Sequence, residues 1–118
     1  MGLLDRFRQK RPPPEKVDEI SIRQLRAIGA DLERPRHVLH FLYFDHEQDA
    51  RSAADATGAA GYETTVLPPD GQIEQWCVRA ETTRVVNEST IRAFRAWFEL
   101  VASEHAGEYD GWEAAAKP

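Results

Sequence analysis

Residues 37–44 read HVLHFLYF, a run of histidine, aliphatic and aromatic side chains with neither glycine nor proline inside it. Pro35 stands before the run and the polar stretch DHEQD (45–49) follows, so it is too short for a globular helix and has the residue types that suit a pleated, buried surface. It predicts a strand. Because the run is apolar at nearly every position, that strand is expected at the centre of a sheet, covered on both faces.

The flanking sequence builds outward from it. Residues 46–60 (HEQDARSAADATGAA) are alanine-rich with charges at helical spacing, which predicts a helix capped by Asp45 and stopped by Gly61. YETTVL (62–67) alternates, PPDG (68–71) makes a turn, and QIEQWCVRAETTRV (72–85) alternates again, the pattern of a hairpin. In its second arm Ile73, Gln75, Cys77 and Arg79 fall on one face and Glu74, Trp76, Val78 and Ala80 on the other. Residues 87–89 can cap a long helix over 90–105, where Ile91, Phe94, Phe98, Val101 and His105 form one stripe that Trp97 and Leu100 widen. The ending GEYDGWEAAAKP (107–118) predicts no more than a short strand or docked turn over 108–113. Upstream, VDEISIRQLRAIG (17–29) predicts a leading helix with Asp18 as N-cap and Gly29 as stop.

The succession helix-β-α-β-β-α, with a short terminal element, implies an α+β two-layer sandwich of variant ferredoxin-like type. Both long helices are expected on one face of a small mixed sheet, with a parallel crossover between the first two strands. Such a fold hosts many functions and names none.

At 118 residues and 13.4 kDa the chain can bury one core and not two. No stretch approaches the ~18–20 apolar residues of a membrane span, which excludes an integral helical membrane protein. A single cysteine excludes an internal disulfide and a cysteine-rich zinc module, and the expected location is the cytoplasm. Residues 1–16 form a basic leader of net charge +3 bounded by Pro12, Pro13 and Pro14; residues 17–118 form the single domain, of net charge −8. An acidic body repels phosphate backbones, so direct nucleic-acid binding is not expected of it and a protein partner with basic surface is. In the leader, Leu3, Leu4 and Phe7 lie opposite Arg6, Gln9 and Lys10, which allows weak contact with an anionic membrane surface, against the plainer reading of a solvated terminus.

Few residues promise chemistry. His37 and His40 point to opposite faces of a strand and His46 lies beyond its end, so they do not make a metal site. Cys77, between Trp76 and Val78, reads as a small buried hydrophobe; the alternative is a small ligand-binding domain or cysteine-dependent enzyme using Cys77 with His40. There is no phosphate-cradling loop, dinucleotide fingerprint or serine elbow, and no catalytic residue, cofactor or metal ligand is assigned. The carboxylate groups read as a solvated acidic face. The remaining oddity is the late segment 108–113, whose Tyr109 and Trp112 either close the core or stand out as an anchor.

Three stretches carry a resemblance: GADLERPRHVLHFLYF (29–44), the triplet Gly61, Tyr62 and Glu63, and EYDGWE (108–113). Over residues 18–113 the chain resembles the RraB family, regulators of ribonuclease E activity, with EYDGWE the most specific part. The resemblance implies a small cytoplasmic bacterial protein with a variant ferredoxin-like sandwich. It further implies a protein inhibitor, without catalytic residues or cofactor, that binds the scaffold region of ribonuclease E and restrains RNA processing and decay. Glu108, Tyr109, Asp110, Trp112 and Glu113 are then the candidate partner-binding residues.

Overall fold

The computed structural model describes residues 13–117. The basic leader's first twelve residues, and with them the membrane-contact reading, lie outside the described residues. The elements are α1 (Pro14–Ala27), β1 (Arg36–Phe44), α2 (Glu47–Ala59), β2 (Glu63–Leu67), β3 (Trp76–Arg84), α3 (Glu88–Glu104) and β4 (Gly107–Ala114). They form an α+β sandwich, and after α1 the succession is β-α-β-β-α-β, that of split β-α-β folds.

The sheet order is β2-β3-β1-β4 and every neighbouring pair is antiparallel. The expectation of a mixed sheet therefore fails. β1 and β2 do run in the same direction, but the hairpin returns β3 between them, so no parallel pair is left in contact. The terminal element is also more than a fragment: β4 has 8 residues and pairs along β1 from Phe44–Gly107 to Val38–Ala114. The expectation rested on how little chain follows the last helix; the pairing takes in nearly all of it, with an irregularity between Phe41 and Leu42.

β1 is central, as expected, but among the described residues it is covered on one face only. Its even-numbered residues Val38, His40, Leu42 and Phe44 are fully buried while Leu39, Phe41 and Tyr43 are intermediate. The buried set meets Val78 and Ala80 of β3, Ala50 and Ala53 of α2, and Phe94 and Phe98 of α3 in one core. Arg36 opens the strand fully buried. Its Nη1 donates to the carbonyls of Ala115 (3.0 Å) and Ala116 (2.8 Å) and its Nη2 to that of Asp31 (2.6 Å), joining the chain before β1 to the chain after β4.

The helix ends follow local chemistry, with two corrections. α1 starts at Pro14, where a residue without N–H costs nothing because first-turn donors have no helical acceptor. Asp18 is consequently not a cap but a buried residue of the second turn. α2 has His46 at its N-cap without a side-chain cap, and Asp45, one residue too early, instead accepts from Gln75 Nε2 at 2.9 Å. α3 does begin on the expected Asn87: Asn87 Oδ1 accepts from the Thr90 amide (3.0 Å) and Thr90 Oγ1 from the Asn87 amide (2.9 Å), a reciprocal cap. Its buried stripe is Ile91, Phe94, Arg95, Phe98, Val101 and Ala102, and Leu100 is 54% exposed instead of widening it. Arg95 is buried because α1 delivers Asp18 to that side of the helix. Among the described residues no helix is long and apolar enough to cross a membrane.

Candidate functional site

β4 carries all five candidate residues, and strand alternation divides them. Tyr109 stands opposite Leu42 and Trp112 opposite His40, so both point to the helix side, where they pack against the core. Glu108, Asp110 and Glu113 are exposed. Glu108 is opposite Tyr43 and Glu113 opposite Leu39, both on the face that no helix covers. The two glycines are bound to this geometry. A Cβ at Gly107 would collide with the Phe44 ring, and Gly111 has φ +111°, a backbone state that L side chains rarely adopt.

The two aromatics fasten the edge strand to the helices by polar as well as apolar contacts. Trp112 Nε1 donates to Asp18 Oδ1 at 2.8 Å. The same carboxylate receives the Arg95 fork, Nη2 to Oδ1 at 2.9 Å and Nε to Oδ2, while Arg95 Nη1 reaches Glu99 Oε1 at 3.0 Å. The Arg95 guanidinium lies 5.0 Å from the centre of the Tyr109 ring, which also stacks on Phe98 at 5.2 Å. Tyr109 Oη and His40 Nδ1 are 2.8 Å apart and share a hydrogen bond. Removing one partner of a buried pair such as Asp18–Arg95 costs about 3–5 kcal/mol, because the other charge is left without compensation. Sequence reasoning missed this network. The available signal was Arg95 itself, a charge at i+4 from Ile91 inside an apolar stripe, which is tolerated only if paired.

Burial, followed by the charges of Arg84 and Arg95, lowers the His40 pKa from 6.5 to about 3, so the ring is neutral in the fold. Burial likewise pushes the Tyr109 phenol up. Among the described residues His40 Nε2 has no hydrogen-bond partner, and the ring lies between Phe94 and Phe98 with no exposed surface. A histidine without access to solvent cannot exchange protons with a substrate. Nor can it assist the cysteine: Cys77 pairs opposite Tyr43 on the uncovered face, and His40 opposite Ala80 on the helix face. The sheet itself separates the members of the Cys77–His40 alternative, and burial raises the Cys77 pKa, away from thiolate.

A groove of about 630 Å³ runs between α1, α3 and β4, with Asp18, Arg95, Glu99 and Trp112 among its walls and Glu108, Asp110 and Gly111 along its β4 side. Asp18, Arg95, Glu99 and Trp112 are already bonded to one another, so these four offer few unused donors to a small ligand. The uncovered sheet face is different. From β2 to β4 its rows are Leu67, Cys77, Tyr43, Glu108; then Thr65, Arg79, Phe41, Gly111; then Glu63, Glu81, Leu39, Glu113. Leu39, Phe41 and Tyr43 take no part in the core, and His37 at the strand end is engaged by Glu81 at 2.8 Å. Counting Asp110 in the irregularity, five carboxylates surround one arginine and an apolar centre.

The family model for RraB, regulator of ribonuclease activity B, matches residues 15–114. The chain belongs to the RraB family. That match takes in α1, whose Asp18 anchors Trp112, as well as the whole sheet. None of the curated proteins matches the chain. RraB proteins are by that description regulators of ribonuclease activity. In this RraB chain the family-like ending EYDGWE serves two surfaces, its aromatics inward and its carboxylates outward.

Proposed function

We propose that this protein is a non-enzymatic regulator that docks on a basic segment of ribonuclease E, or of a related RNA-decay component, and thereby restrains RNA processing in the cytoplasm. One observation carries the reading: the side of the sheet left uncovered by the helices has an apolar centre of Leu39, Phe41 and Tyr43 within a border of carboxylates. Apolar centres with a charged rim are the anatomy of protein interfaces, and the sign of this rim favours a basic partner. Glu108, Asp110 and Glu113 would contribute to the contact directly. Tyr109 and Trp112 would contribute by holding β4 in place.

The test is affinity capture of purified ribonuclease E scaffold by the intact protein, with RNA removed. Binding is expected to weaken steeply between ~50 and ~500 mM salt, since exposed charges are screened over about 10 Å or less. Binding that ignores salt, or none at low salt, contradicts the proposal.

A further inference from the structure

The groove between α1, α3 and β4 is acidic and partly apolar. Among the described residues its walls hold Asp18, Glu99, Glu108 and Asp110 against one cation, Arg95, a formal charge of −3 that pairing within the walls does not alter. Val17, 42% exposed, lines it along α1, and the partly buried Trp112 lines it from β4. α1 and α3 run antiparallel, since Arg26 near the end of one pairs with Glu88 at the start of the other while Asp18 pairs with Arg95. Pro14 therefore lies beside the last turn of α3, where Ser103 and, just past the helix, Gly107 and Glu108 complete the mouth of the groove. Residues 1–12 join the fold at that mouth, through Pro13 with its extended backbone (φ −52°, ψ 145°).

That segment is the chemical complement of the groove. Arg6, Arg8, Lys10 and Arg11 against Asp5 give it a charge of +3, and Leu3, Leu4 and Phe7 supply apolar side chains. Twelve extended residues reach up to about 40 Å, whereas the α1 wall from Pro14 to Ser21 is only about 10 Å long, so reach sets no limit. The other flank of α1 is a poorer seat, because Glu19 there already faces Lys16 and Arg23, and Glu88 faces Arg26. We propose that residues 1–12 seat in the α1–α3–β4 groove of their own chain and, by covering Glu108 and Asp110, compete with the basic segment of the partner. The seat stands on the groove alone; the competition rests on the docking reading above. A short tether holds the segment at an effective concentration on the order of 1 mM, so a contact that would be weak between separate molecules is still largely occupied.

The experiment uses the full-length protein and a variant with a neutralised leader, Arg6→Gln, Arg8→Gln, Lys10→Gln and Arg11→Gln together. Amide NMR shifts are expected to differ between the two at Val17, Ser21, Ser103 and Gly111, and ~500 mM salt should move the wild-type spectrum toward that of the variant. A nitroxide on Gln9→Cys, with Cys77→Ala to leave one thiol, should broaden Ser103 and Gly111, and should do so far less with the neutralised leader, whose tether is the same. If Cys77→Ala does not fold, the shift comparison decides alone. Broadening that ignores both salt and leader charge, or that falls on Phe41 and Thr65 of the uncovered face, would overturn the seat. So would broadening of unlabelled molecules mixed with labelled ones, which would assign the groove to a second copy. The neutralised variant should bind ribonuclease E scaffold about two- to fivefold more tightly, as loss of a tethered competitor of that strength requires. Unchanged affinity overturns the competition. If the leader seats but the scaffold does not bind, the ribonuclease assignment falls and the seat stands. If the scaffold binds and neutralising the leader alters neither the groove amides nor the affinity, the leader proposal falls and the docking stands.

Discussion

The two sides of β1 are almost equally apolar in composition: Val38, Leu42 and Phe44 on one, Leu39, Phe41 and Tyr43 on the other. The first set is fully buried beneath α2 and α3; the second is half-exposed and lies outside the core. What separates them is their surroundings. The covered side carries one buried ion pair, Asp18 with Arg95, while the uncovered side has more carboxylates than arginines along its border. A hydrophobic side chain can thus be present to stabilise the fold or to meet a partner, and the neighbouring charges tell which.

The sharpest contrast is between two phenylalanines on either side of the sheet. Phe98→Ala, in the core, is expected to cost about 3–5 kcal/mol, and Phe41→Ala about 1–2 kcal/mol, since Phe41 is only partly buried and lies outside the core. Comparable losses in urea unfolding would show that the uncovered face is structural after all. Asp18→Leu comes next. It leaves Arg95 buried without its partner and should cost about 3 kcal/mol or more, whereas Asp18→Leu combined with Arg95→Met should recover most of that loss. If the double variant is as unstable as the single one, the pair contributes more than charge compensation. The smallest effect concerns His40. The unfolded chain takes up a proton near pH 6.5 that the folded chain refuses until about pH 3, so stability is complete above pH 6.5 and declines as pH falls toward 3. The slope approaches ~1.4 kcal/mol per pH unit within that window. Between pH 6.5 and 5, above the range of ordinary carboxylates, His40→Phe should flatten the decline; an unchanged slope would mean that another group is responsible.

Much of this was legible in the chain. Among the described residues, periodicity located the three helices and the first three strands within a few residues, because each is a segment of one pattern. The unread parts share one cause, that their meaning depends on residues distant in sequence. Asp18 looks like a cap until Arg95, 77 residues later, is seen to claim it. HVLHFLYF looks covered on both sides because sequence gives the polarity of a strand and not the number of layers upon it. β4 looks too short because its irregular pairing is fixed by β1, and Gly111, at that irregularity, takes the positive φ that a glycine allows. The split of EYDGWE into inward rings and outward carboxylates needed the register.

Arg36 has a consequence of a mechanical kind. By holding the carbonyls of Ala115, Ala116 and Asp31 together, its guanidinium acts as a cleat at the point where the chain leaves the sheet. A pull applied to the C-terminal end would load this fork first and reach the β1–β4 hydrogen bonds only once it had slipped. A dye or tether attached there would therefore swing from a fixed post, and its reach across the carboxylate-edged face could be set by linker length alone.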